Sequence, residues 1–165
     1  MNVPVAELHT PEELLAGAED LLASDNPVTR RAAVLEAITA LESYVQATVF
    51  PAMSSKVDAV LVEWIERKTR VDFESRLTVL LPVATGRAID KQSLLWQGYQ
   101  KAKEIRNKVV HIGAKVSRSQ ARFVVDTVHD WLAYLGSTAE LEVALIGLKR
   151  HIDCSFAYFD SRLAQ

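Results

Sequence analysis

Apolar residues recur every three or four positions through most of the chain, which is the spacing of a helix that buries one face. No segment alternates apolar and polar residues for long enough to predict a β-strand. Side chains that cap helices precede the apolar stripes, and glycine or proline follows most of them. The pattern predicts an all-α fold, an up-and-down bundle of about six to seven helices.

Two capping signals place the first helices. Thr10 and Glu13 have the spacing of a capping box, so the first helix is expected to begin directly after Thr10. Asn26 precedes the second helix in the same way. Pro51 is expected to end that helix, because the residue before a proline avoids the helical conformation.

The middle of the chain contains three further helix starts. Ser54 or Ser55 can cap a third helix, and Asp72 can cap a shorter fourth helix that is expected to close at Pro82. Asp90 is expected to cap a fifth helix, whose apolar stripe includes two aromatic residues with the spacing of core positions.

The last part of the chain predicts a sixth helix and a helical extension. Ser117 and Gln120 form a capping box for a helix that runs to about Leu135, and Gly136 is its expected stop. Beyond it, apolar residues recur with nearly a seven-residue repeat. They are Leu141, Leu145, Leu148, Ile152, Phe156, Phe159 and Leu163. A helix with this seam is expected to pack on the bundle or on a second chain.

Length and composition fit one globular domain, since the 165 residues are 49% hydrophobic and 24% charged. We expect a single domain over residues 1–165, with a core over about 11–135 and the helical extension over about 137–163. No apolar run approaches the ~20 residues that span a bilayer, and no export signal opens the chain. A cytoplasmic location is therefore expected.

Cysteine and histidine give no sign of a metal site. Cys154 is the only cysteine, so no internal disulfide can form, which fits a reducing compartment. With His151 it makes the only metal-like pair, and one pair does not predict a zinc site. The sequence also lacks a glycine-rich phosphate loop. No cofactor and no metal are predicted.

The net charge of −2 argues mildly against a nucleic-acid binder, but the charges are unevenly distributed. Residues 101–122 contain one acid, Glu104, and seven basic side chains. These are Lys101, Lys103, Arg106, Lys108, Lys115, Arg118 and Arg122. Such a segment is typical of a surface that binds phosphate groups, or of a solvated helix face.

Three polar residues in this segment have the chemistry of a metal-independent phosphoryl-transfer site. Arg106 carries a permanent charge that suits phosphate oxygens, Asn107 offers donors and an acceptor, and a histidine such as His111 can move a proton near neutrality. Five residues turn an unbroken helix by about 500°, which would leave Arg106 and His111 about 140° apart. Because Gly113 favours a helix end, the helix is expected to stop near Val110 and to turn His111 back beside Arg106.

Arg106-Asn107-Lys108-Val109-Val110-His111, on a late helix of a small all-helical domain, resembles the motif of the HEPN superfamily, and the resemblance extends over the helical order of about residues 11–135. It implies an endoribonuclease in which the ribose 2′-hydroxyl attacks the neighbouring phosphate. His111 would be the general base or acid, Arg106 would hold the phosphate, and Asn107 would orient either.

The resemblance also implies partners. Family members bring two motifs together in a homodimer, and many are toxins or phage-defence factors that an antitoxin neutralises. An acid on an early helix often lies near the site, and the sequence leaves open whether Glu36 or Glu42 would serve. Contacts to RNA are predicted for four residues of the basic segment. These are Lys103, Lys108, Lys115 and Arg118.

Two other interpretations fit the same residues. Related bundles also serve as non-catalytic modules that bind nucleotide, RNA or a protein partner. The chain could also be a structural helical domain that assembles through its C-terminal seam, with Arg106 paired to a carboxylate and His111 a satisfied histidine near a helix end.

Overall fold

In this computed structural model, all regular secondary structure of the described residues is helical, which confirms the all-α prediction. The structure describes residues 9–24, 26–68, 71–86 and 88–136. The helices are α1 (Pro11–Ala23), α2 (Pro27–Ser54), α3 (Ala59–Lys68), α4 (Phe73–Ser75), a π-helical turn (Arg76–Leu80), α5 (Leu81–Thr85), α6 (Leu94–Ile112) and α7 (residues 118–136). The predicted extension over residues 137–163 lies outside the described residues.

Four of the predicted helix starts are confirmed atom by atom, and one of them is Asp72, which caps α4 as expected. The Thr10 hydroxyl accepts from the Glu13 N–H at 3.2 Å, and the Glu13 carboxylate accepts from the Thr10 N–H at 2.9 Å. The side chain of Asn26 accepts from the first turn of α2. Ser117 and Gln120 form the reciprocal pair that begins α7. Because capping uses only neighbouring atoms, the sequence is sufficient to predict it.

The other two starts lie elsewhere than predicted. The α3 helix is capped by Asp58, whose carboxylate accepts from the Val60 N–H at 2.9 Å, and not by a serine. The α6 helix begins after Ser93, whose hydroxyl accepts from the Trp96 N–H at 3.1 Å. Asp90 instead closes the turn that precedes α6, so the predicted cap was one turn too early.

Neither proline ends its helix, contrary to the prediction. The α2 helix continues through Pro51 to Ser54, and both Phe50 and Met53 stay buried along its stripe. Burial of this last turn outweighs the cost of a proline in a helix interior, ~3 kcal/mol. Pro82 directly follows the wide π-helical turn and lies at the second residue of α5, so the helical segment continues through it. Gly86, in the left-handed conformation, ends that segment.

Aromatic rings fill the contact between α6 and α7. Trp131 is completely buried, and its indole N–H donates to the Leu95 carbonyl at 3.2 Å. Tyr99 is also buried and lies between Trp96 and Trp131, with ring centroids 5.4 and 6.1 Å away. Phe73 of α4 approaches Tyr99 from another side, at 5.7 Å. The predicted core role of the α6 aromatics is thus confirmed, and one face of α6 is fixed inward.

A histidine ties α7 to α1. The His129 imidazole lies 2.7 Å from the Glu19 carboxylate. Within the described ranges, no helix combines the length and the apolar character that crossing a bilayer requires.

Candidate functional site

The α6 helix carries the whole polar motif and ends later than predicted. It continues through His111 to Ile112, and Gly113 forms the left-handed cap with φ 62°. The N–H groups of Gly113 and Ala114 both donate to the Lys108 carbonyl. Because glycine adopts this left-handed backbone conformation without strain, the reversal falls at Gly113 itself and not at the residues before it.

The course of α6 separates the two charged members of the motif. Since the helix is unbroken from Arg106 to His111, their side chains leave it about 140° apart. The predicted return of His111 to the side of Arg106 is therefore wrong. The chemical roles of these residues stay predictions, but a single chain does not bring guanidinium and imidazole together.

Arg106 lies half-buried on the inward side of α6. It follows Tyr99 by seven residues, which places the two about 20° apart on the helix. Burial raises the pKa of the Tyr99 phenol, the carboxylates of Glu74 and Glu42 add to the rise, and the charge of Arg106 opposes it. The guanidinium thus lies close enough to the buried phenol to act on it electrostatically.

His111 lies on the outward side and is exposed. Its neighbours Val110 and Ile112 are also exposed, by 48% and 75%, although both are large and apolar. The imidazole has no hydrogen bond or ion pair with any residue that the structure describes. A free, solvent-accessible imidazole with apolar neighbours is suited to proton transfer and to contact with another molecule.

Asn107 lies between the two. Its side-chain oxygen accepts from Arg106 Nη1 at 3.3 Å. It also precedes His111 by four residues, so both side chains project from the same side of α6, about 40° apart. The Asn107 amide therefore contacts Arg106 and projects from the same side of α6 as His111.

The structure distinguishes the two acids that the sequence left open. The Glu36 side chain lies against α1, where its carboxylate oxygen would be 3.4 Å from a Cβ built on Gly17. The Glu42 carboxylate instead acts electrostatically on Tyr99, as Arg106 does.

The predicted RNA-binding residues do not form one patch. Lys103 pairs with Glu74 at 2.7 Å, and Lys108 pairs with Glu104 at 2.6 Å. Each lysine lowers the pKa of its partner carboxyl by hydrogen bonding and by its charge. Five residues separate the two lysines, so they leave α6 about 140° apart. Lys103 thus belongs to the Arg106 side and Lys108 to the His111 side.

The remaining basic residues gather where α6 meets α7. Lys115 is exposed in the segment between the helices, and Arg118 is exposed at the first position of α7. A cavity of about 160 Å³ lies here, with Lys101, Lys108 and Lys115 in its wall. Lys101 was not among the predicted RNA contacts, although its spacing of seven residues from Lys108 places both on one side of α6.

A larger groove, of about 1130 Å³, lies among α1, α2, α3 and α4. Arg76 opens the π-helical turn and projects into this groove. Its guanidinium donates to the Gln46 side chain at 3.0 Å and to the Val71 carbonyl at 3.2 Å, and it lies 5.8 Å from the centre of the Phe50 ring. Glu42 also lines the groove. Sequence reasoning missed Arg76, because a π-helical turn has no compositional signal.

Among the described residues, no three histidine, cysteine, aspartate or glutamate side chains come together as metal ligands would. No family model matches this chain, and neither the curated proteins nor the solved structures compared with it contain a match.

Proposed function

We propose that this chain is a metal-independent endoribonuclease of the HEPN type. The observation that carries the proposal is the exposed imidazole of His111, which no described residue binds and which lies one turn after an Asn107 that contacts Arg106. Attack of the 2′-hydroxyl on the phosphate needs a group that takes and gives protons and a cation that stabilises the phosphate charge, and an amide can orient either.

In the proposed reaction, the 2′-oxygen bonds to the adjacent phosphorus while an imidazole accepts the 2′-hydroxyl proton. The bond from phosphorus to the 5′-oxygen breaks, and an acid protonates the leaving oxygen. The products are a 2′,3′-cyclic phosphate and a free 5′-hydroxyl. Arg106 stabilises the negative charge that builds on the phosphate oxygens, and Asn107 orients His111 or the phosphate.

This reaction needs a base and an acid, and the motif holds one histidine. We propose that a second copy of the chain supplies the other imidazole, so that the two His111 residues share the roles. The exposure of His111 favours this arrangement, because a second imidazole can approach it from solvent. Val110 and Ile112 provide exposed apolar surface for the contact.

The biological setting is proposed from the family resemblance. Such a nuclease would act on cytoplasmic RNA as a toxin or a phage-defence factor, and an antitoxin or another regulatory protein would restrain it. These roles depend on the nuclease activity, and a chain that does not cleave RNA would exclude them.

The direct test is RNA cleavage in the presence of a chelator. We expect His111→Ala to lower the rate by about 10²- to 10⁴-fold, the usual contribution of acid–base catalysis. His129→Ala is the matched control, because His129 is also exposed but is held by Glu19. DNA of the same sequence should stay intact, since it lacks the 2′-hydroxyl. Equal cleavage by wild type and His111→Ala would assign the activity to a contaminant.

A second candidate function, a non-catalytic binding module, is favoured by the groove around Arg76. Its guanidinium is fixed by Gln46 and Val71 beside an aromatic ring, an arrangement that suits a planar or anionic ligand such as a nucleotide. Nucleotide binding that is lost in Arg76→Gln, in a protein without RNA cleavage, would favour the module over the nuclease.

A further inference from the structure

The His111 side of α6 carries basic side chains that the Arg106 motif does not include. Lys101 and Lys108 are seven residues apart and leave the helix about 20° from one another. Lys108 precedes His111 by three residues, which places it about 60° around the helix and about 4.5 Å along its axis. Together with Lys115, the two lysines line the cavity of about 160 Å³.

We propose that Lys101, Lys108 and Lys115 form a phosphate subsite that binds the backbone phosphate next to the one cleaved at His111. That the ligand is single-stranded RNA rests on the proposed function. The cavity volume is about five times the volume of one molecule in liquid water, which leaves room for a phosphate group and some solvent.

The charges at this cavity favour an anion. Glu104 is the acid in its wall, and its carboxylate is paired with Lys108. Three lysines against one carboxylate leave an excess of two positive charges. The N-terminal end of α7 also contributes to the cavity through Gln120, and the first turn of a helix carries a partial positive charge.

Two of the lysines are well suited to hold a ligand. The Lys101 ammonium lies 4.9 Å from the centre of the Phe123 ring, so its side chain has a defined position at the cavity. Lys115 has no hydrogen bond or ion pair with a described residue, so its ammonium can turn to a ligand without losing one. Arg106 lies about 160° from Lys108 around α6, on the inward side, and cannot take part.

The test uses a single-stranded RNA in which every ribose is 2′-O-methylated, because this probe binds but cannot be cleaved. Its Kd is measured by fluorescence anisotropy over a series of salt concentrations. For the double variant Lys101→Gln/Lys115→Gln we expect binding weaker by about tenfold. The slope of log Kd against log salt should fall by about 0.7 for each lysine that contacts a phosphate.

Lys91→Gln is the matched control. Lys91 also lies over an aromatic ring, with its ammonium 5.5 Å from the centre of Trp96, but it precedes the opposite end of α6. Lys91→Gln removes one positive charge and a similar ring contact away from the cavity, so it should leave Kd and salt slope unchanged. Lys115→Gln alone changes an exposed segment. Its circular dichroism spectrum, compared with that of the wild type, separates lost binding from lost folding.

The outcomes separate this inference from the nuclease proposal. Unchanged Kd and salt slope in the double variant, an equal loss in Lys91→Gln, or no binding by the wild type would each overturn the subsite. If His111→Ala cleaves as the wild type does while the double variant binds RNA weakly, the nuclease proposal fails and the phosphate subsite stands.

Discussion

The two sides of α6 differ in what holds their side chains. On the inward side, Tyr99 is packed among aromatic rings, and Lys103 is paired with a carboxylate of α4. Arg106 continues this side. On the outward side, His111 is exposed, and Lys108 pairs with Glu104 of its own helix.

The difference separates stability from chemistry. Tyr99 and Lys103 of the inward side are held by contacts between helices, so changes to these two residues should act mainly on folding. The outward side makes few such contacts, so its side chains are available to a ligand or a second copy. The proposed site needs a second chain because the reaction needs both an acid and a base, and the motif holds one histidine.

The largest effect on folding should come from the ring that supports the inward side. Trp131→Ala should lower the free energy of unfolding by about 3–5 kcal/mol, because it empties a fully buried position and removes the bond to the Leu95 carbonyl. Chemical denaturation measures the change. His111→Ala, on the outward side, should stay within about 0.5 kcal/mol of the wild type. Equal losses in the two variants would remove the contrast between the sides.

The next largest effect on stability is expected at Gly113, the glycine that ends α6. Gly113→Ala should cost about 1–2 kcal/mol, because an L-residue is strained at φ 62°. No atom lies within 4 Å of the added Cβ, so the loss is one of backbone conformation and not of space. Gly113→Asn should lose less, since asparagine tolerates this conformation better. An unchanged melting temperature in Gly113→Ala would show that the helix does not end in this way.

A smaller effect of opposite sign is expected where α6 approaches α7. Gly98 lies inside the helix, and a Cβ there would be 3.4 Å from the Thr127 methyl group, an ordinary contact distance. Gly98→Ala should therefore stabilise the fold by about 0.5–1 kcal/mol, because alanine loses less backbone freedom. Thermal unfolding measures the gain, and Gly98→Leu should reverse it by overfilling the contact. A loss in Gly98→Ala would mean that the two helices are packed more tightly.

The smallest effect is electrostatic and depends on pH. Lys103 holds the pKa of Glu74 below its ordinary value of 4.5, so the pair contributes stability above that pH and loses it as pH falls through the lowered value. Both side chains are over a third exposed, so Glu74→Gln should cost only about 0.5 kcal/mol at pH 7, and less in acid.

Its control lies on the outward side. Glu104→Gln removes the pair with Lys108, which is more exposed, and should change stability less than Glu74→Gln does. Unfolding by denaturant at pH 7 and at pH 3 compares the two variants. A larger loss in Glu104→Gln would contradict the assignment of the stabilising contacts to the inward side.

Local signals explain which parts of this structure could be predicted. Thr10, Asn26 and Ser117 cap helices through atoms two or three residues away, so the sequence predicts them. The prediction that Pro51 and Pro82 end their helices was wrong. The helix at Pro51 continues because its last turn is buried, and the helix at Pro82 follows a π-helical turn, and local sequence rules describe neither.

The candidate site shows the same limit. The sequence identified Arg106, Asn107 and His111 by their chemistry, but a helix end two residues later than expected changed their mutual placement. The lysine-lined cavity and the groove at Arg76 depend on contacts between separate helices, which no spacing along the chain shows.

The central claim, that the two His111 residues act in one shared site, is tested most directly by mixing subunits. A fixed amount of wild-type chain is refolded together with increasing His111→Ala chain, native mass spectrometry confirms the mixed dimers, and chelator-resistant RNA cleavage is measured. Because random pairing in a symmetric dimer leaves about half of the wild-type chains with a wild-type partner at equal amounts, activity per wild-type chain should fall to about half and keep falling with further variant. Activity per wild-type chain that stays constant would show that each chain cleaves alone.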